Sequence, residues 1–119
     1  PVQNDIVLFG LYVHMHLHGK ESTHILTYPD GREEVLLRIP NYRFDWQYTY
    51  RFAEPVRIPA GSTLKAIVRY DNSASNRFNP TPHKEVYWSE QSWDDMYFFK
   101  AWYGFDDEKV SAGAARAAN

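Results

Sequence analysis

The sequence predicts an all-β fold, an antiparallel β-sandwich of jelly-roll type. Apolar and polar residues alternate in short runs, the period-2 signature of strands covered on one face. Clusters of Pro, Gly, Asn and Asp separate those runs, where turns need special backbone angles. Aromatic residues make up 17% of the chain, a usage that suits half-buried strands better than helix faces. Many short strands joined by long crossovers, with no convincing helix, argue for a sandwich.

The elements follow in order. Asp5 to His18 reads as a long first strand. Thr23 to Tyr28 and Glu33 to Ile39 flank Pro29-Asp30-Gly31, where Asp-Gly supplies the positive φ of a tight hairpin. Phe44 to Phe52 alternates as a strand with Phe44, Trp46, Tyr48 and Tyr50 on a core face and Asp45, Gln47, Thr49 and Arg51 on a wet one. Pro55 to Pro59 is a short edge-like piece, Ala60-Gly61-Ser62 turns, and Thr63 to Tyr70 is a further strand. Asp71 to Lys84, rich in Asn, Ser and Pro, is the longest irregular segment. Tyr97 to Phe105 closes a sheet. Residues 1–105 therefore form one domain, and 106–119, without large apolar residues, read as a flexible tail or linker.

A chain of 119 residues is long enough for one hydrophobic core and hardly for two. Its formal net charge of −2, with no block of like charges, lacks the electrostatic footprint of a nucleic-acid binder. No cysteine is present, which excludes disulfides, thiolate metal sites and cysteine nucleophiles. No segment reaches the length of a membrane span, and the N-terminus lacks the pattern of a signal peptide, as in a mature or excised product.

Three of the five histidines fall on alternate residues in Tyr12-Val13-His14-Met15-His16-Leu17-His18-Gly19-Lys20. On an extended strand His14, His16 and His18 line one face while Met15 and Leu17 point to the other. The pleat sets such neighbours roughly 6.5–7 Å apart, a gap two imidazoles can bridge to one metal ion. The competing reading is an amphipathic strand with polar residues on its wet face. Gly19 is also placed to turn the chain and carry His18 out of the cluster.

This stretch, the loop YDNSASNRFNPTPHKEV and the downstream Glu85–Phe98 segment EVYWSEQSWDDMYF together resemble the C-terminal domain of the copper type II, ascorbate-dependent monooxygenases. That is the family of peptidylglycine α-hydroxylating monooxygenase and dopamine β-monooxygenase, and the likeness is greatest to its bacterial members. It runs from about Tyr12 to Phe105. It implies a jelly-roll domain holding one copper through His14, His16 and Met96, with His18 matching no family ligand and left as a candidate addition. Imidazole suits either copper oxidation state and a thioether favours Cu(I). The resemblance also implies ascorbate as reductant, a second copper domain or electron-donor protein as partner, and a periplasmic or extracellular location. Glu90 and Gln91, beside Trp88 and Trp93, are candidates for orienting a histidine or a bound water. His24 and His83 read as ordinary surface histidines.

The alternative is a non-catalytic module that binds a partner, a glycan or copies of itself, with a vestigial or accessory metal. Its support is the aromatic excess, notably Trp46, Trp88, Trp93, Trp102 and Tyr103, although filling a thin core accounts for most of these more simply. Other chemistries fit less well. No G-x-S-x-G is present for a serine hydrolase. Asp94-Asp95 and Asp106-Asp107 are adjacent pairs that point to opposite faces of a strand and cannot act as acid and base together. Asp71, Asn72, Ser73, Asn76 and Asn79 offer oxygen atoms for calcium, but with few carboxylates they read better as Asx turns.

Overall fold

A computed structural model describes residues 1–106 of the chain. They form six strands: β1 (Ile6–Met15), β2 (Gly19–Thr27), β3 (Glu33–Ile39), β4 (Thr49–Ile58), β5 (Thr63–Tyr70) and β6 (Tyr97–Phe105). Two antiparallel three-stranded sheets result, A with the order β4-β1-β6 and B with the order β3-β2-β5. The chain crosses between the sheets at every connection except the β2–β3 hairpin. There Gly31 takes φ 86° and Gly31 N–H donates to the Tyr28 carbonyl.

Both sheets contribute to a common core, as a β-sandwich requires. Leu8 and Leu11 of β1, Leu26 of β2 and Ile58 of β4 are buried, with Leu37, Leu64 and Phe99 packed against them. A second cluster joins Val13 and Met15 to Ile39 and Tyr42. Aliphatic side chains thus make up most of the fully buried core, with Tyr42 the buried aromatic in it. Trp46, Trp88, Trp93, Trp102 and Tyr103, expected mostly as core filler, are all exposed.

Inward alternation in β1 runs through Leu8 and then Leu11, Val13 and Met15, a change of parity between two residues three apart. A β-bulge makes the change. Leu8 pairs with Tyr103 and Gly10 with Trp102, so Phe9 is the extra residue and is turned outward to solvent. A Cβ on Gly10 would lie 2.6 Å from the Tyr50 carbonyl oxygen, so this close approach requires glycine.

Four expected strands differ in extent. The first ends at Met15, because Gly19 N–H donates to the His16 carbonyl and closes a turn. The one expected over Thr23–Tyr28 runs from Gly19 to Thr27, because Gly19 and Glu21 already pair with Tyr70 and Arg69 of β5. Phe44–Phe52 is a strand only from Thr49 onward. Before it the chain folds on itself: Trp46 N–H donates to the Arg43 carbonyl, Arg43 pairs with Asp45, and Gln47 Nε2 donates to the Phe44 carbonyl. Pro55–Pro59 is no separate piece, since β4 runs through Pro55, tolerated there because β4 is an edge. The 71–84 segment is irregular, as expected. Asp71, Asn76 and Asn79 each accept a backbone N–H two residues on, the Asx pattern. Apart from Asp106, the expected 106–119 tail lies outside the described residues.

Candidate metal centre

His14 stands on the outer face of sheet A and His16 at the corner where the chain leaves β1, with ring centroids 5.1 Å apart and planes at 89°. Phe98, the cross-strand partner of His14, stacks on its ring at 4.6 Å. Phe44 presents an edge to both imidazoles, at 6.5 Å from His14 and 6.2 Å from His16. The pair thus sits within an aromatic collar at one end of the sheet.

Hydrogen bonds fix both tautomers. His16 Nδ1 lies 3.0 Å from the Asp94 carbonyl oxygen, which can only accept, so Nδ1 carries the proton. His14 Nδ1 lies 2.7 Å from Gln47 Oε1. The Gln47 amide is oriented by its own donation to Phe44 O, and Tyr12 O–H donates to the same Oε1. His14 Nδ1 is again the donor. Among the described residues neither Nε2 has a hydrogen-bond partner. Neutral imidazoles whose far nitrogen is held by an oxygen acceptor are the state in which histidine ligates metals.

His18 has a different environment. It is fully buried, with Nδ1 2.9 Å from Asp95 Oδ1 and Nε2 3.1 Å from Asn79 Oδ1. Asn79 donates through Nδ2 to Asn72 and Ser73, which fixes Oδ1 as the acceptor facing the ring. Both nitrogens of His18 are therefore engaged within the protein. The residue ties the Asn-rich loop and the 94–96 segment to the β1–β2 corner.

Met96 enters through the register of β1 and β6. The last ladder pairs are His14 with Phe98 and Met15 with Tyr97; one further step would set Met96 opposite His16. The segment before Met96 is anchored beside that corner by the bonds of Asp94 to His16 and Asp95 to His18, and by Leu17 N–H donating to the Ser92 carbonyl. The Met96 carbonyl accepts from Tyr70 O–H at 3.0 Å. Among the described residues no group of three or more His, Cys, Asp or Glu side chains converges, so two imidazoles are the nitrogen and oxygen complement of this corner.

Glu90 and Gln91 are exposed, and neither side chain bonds to a histidine. The groups that hold the rings, Gln47 and the Asp94 carbonyl, lie 33 and 78 positions from their histidines. His83 is exposed, with φ 71°. His24, expected at the surface, is instead fully buried between the sheets, with Nε2 2.9 Å from Tyr97 Oη. Asp94 accepts from Ser89 Oγ while Asp95 faces His18, so the two adjacent carboxylates serve separate partners. No helix among the described residues is long and apolar enough to cross a membrane. Comparison of the chain with protein-family models, curated proteins and solved structures gives no match.

Proposed function

We propose that the corner formed by His14, His16 and Met96 binds one copper ion and that the domain is the oxygen-activating half of a monooxygenase-like oxidoreductase. The observation that carries this reading is the pair of held rings: two adjacent imidazoles with centroids 5.1 Å apart, each held at Nδ1 by an oxygen, whose Nε2 atoms have no hydrogen-bond partner among the described residues. Gln47 orients His14, the Asp94 carbonyl orients His16, and Phe44 and Phe98 pack against the rings. A thioether as third ligand biases such a set towards Cu(I) over zinc or hard cations. Bound copper would supply one-electron chemistry and a place for dioxygen. The jelly-roll connection, an ascorbate-fed second copper domain or electron-donor partner, and a periplasmic or extracellular setting belong to the same reading, and the repeated crossing of the chain between sheets is compatible with the first of these.

The test is titration of metal-free protein with Cu(I) and Cu(II), followed by a copper EPR spectrum. One ion per chain is expected. His14→Ala should abolish tight binding of both states, and Met96→Leu should weaken Cu(I) more than Cu(II). Absence of stoichiometric binding, or unchanged affinity in both variants, ends the proposal.

A second reading is favoured by a separate observation. Trp46 and Trp88 are 66% and 70% exposed, and Trp46 lies parallel to the exposed Tyr48 with an interplanar angle of 10°. Exposed apolar surface of this kind marks binding faces. On this reading the domain is a non-catalytic binding module, and glycan binding that persists after metal removal would distinguish it.

A further inference from the structure

Each sheet has two edge strands, and an edge presents unpaired N–H and C=O groups that can template another strand. Three of the four edges carry protection. β4 contains Pro55 with Arg51, Glu54 and Arg57; β3 begins with Glu33 and Glu34 and carries Arg38; β5 carries Lys65 and Arg69. β6 (YFFKAWYGF) has one charge and no proline. Among the described residues it pairs only with β1. Its Phe98, Trp102 and Tyr103 side chains are exposed, so burial does not account for their apolar character.

We infer that β6 pairs antiparallel with β6 of a second copy of this chain, across a two-fold axis at Ala101, joining the two A sheets into one. The register follows from symmetry and charge. In a two-fold antiparallel pair one residue faces itself and its neighbours face each other in reverse order. An axis at Lys100 would set two ammonium groups directly opposite, which is destabilising. Ala101 is the midpoint of β6 (Tyr97–Phe105), so an axis there pairs residues 98–104 symmetrically. It sets the small Ala101 side chain against its own copy and each Lys100 against Trp102. Lys100 already lies over aromatic rings in its own chain, 5.7 Å from the Phe98 centroid and 5.9 Å from that of Tyr12. A facing indole adds a cation–π partner in place of a repulsion. The inference stands apart from the copper reading, since it uses backbone edges and side chains that hold no metal.

Light scattering on the full chain across a dilution series tests it. The expected mass at high concentration is twice the 14.0 kDa of the chain, falling towards 14.0 kDa on dilution. Trp102→Lys places a second ammonium opposite Lys100 and should halve the mass, whereas Trp102→Glu supplies a counter-charge and should retain the dimer. Lys100→Glu combined with Trp102→Lys should restore the mass lost in the single variant. The chain has no cysteine, so Ala101→Cys should give one disulfide-linked dimer under mild oxidation, its Cα atoms lying within bridging range across the axis. A single-chain mass at every concentration overturns the inference. So does a dimer indifferent to Trp102→Lys, or one that fails to cross-link at position 101.

Discussion

Gln47 acts on His14 through one oxygen atom: its amide nitrogen is committed to Phe44 O and its oxygen takes the protons of Tyr12 and His14. Replacing it with Leu removes the acceptor that holds the Nδ1 proton and frees the ring to rotate or change tautomer. Loss of such an outer partner lowers metal affinity by about 10–100-fold. Gln47→Leu should therefore weaken copper binding by that factor in a competition titration, while the thermal midpoint stays near wild type because the side chain is half-buried at the surface. Glu90→Ala should leave the affinity unchanged, as Glu90 touches neither ring. The sequence made the two histidines legible because alternate spacing is a local signal. It could not show Gln47 or the Asp94 carbonyl, whose roles arise only when a loop and a strand start meet the corner. His18 shared the local pattern, but the turn at Gly19 takes it into the interior.

At the scale of elements, β3, β5 and β6 have the bounds expected from the sequence, with clean inward and outward alternation in β5 and with aromatic rather than polar side chains on the outward positions Phe98 and Trp102 of β6. Legibility failed where a local side-chain bond overrode the pattern. The Arg43–Asp45 pair and the Gln47–Phe44 bond fold 43–48 into a loop although its alternation matches a strand. The bulge in β1 escaped for a related reason: an interior glycine was its only mark, and the partner backbone that demands it comes from β4. Gly10→Ala must push the Tyr50 carbonyl aside, and overpacking of this kind costs about 1–3 kcal/mol, readable as a lowered urea midpoint with unchanged slope. The β1 terminus has its own clamp in Tyr42, whose hydroxyl accepts from Met15 N–H at 2.9 Å and donates to Met15 O at 2.7 Å. Tyr42→Phe strands both buried backbone groups, at about 1–3 kcal/mol for each group left unsatisfied. Because that clamp ends one residue before His16, the same variant should also loosen copper binding, and hydrogen exchange at Met15 would reveal whether the corner frays first.

For the molecule as a whole, the exposed aromatic side chains leave the space around β2 between the sheets to aliphatic residues and a few tyrosine and phenylalanine rings, surroundings that disfavour a charge on His24. His24 is the test of that interior. It is completely buried, its Nε2 lies 2.9 Å from Tyr97 Oη, and its Nδ1 has no partner. Burial holds its pKa below the ordinary 6.5 and, acting on the phenol, raises that of Tyr97 to about 12, so the pair is neutral at pH 7. The sign of the pH effect follows. Below pH 6.5 the unfolded chain takes up a proton at His24 that the folded chain refuses, so stability is full above that value and declines as pH falls towards the folded pKa. One such site contributes at most about 1.4 kcal/mol per pH unit. Urea unfolding of metal-free protein should accordingly show a midpoint that drops between about pH 7 and pH 5, with part of the drop removed in His24→Gln, which keeps a hydrogen-bonding side chain but cannot be charged. If the two proteins lose stability in parallel across that range, His24 does not titrate with unfolding, and the acid sensitivity has another source.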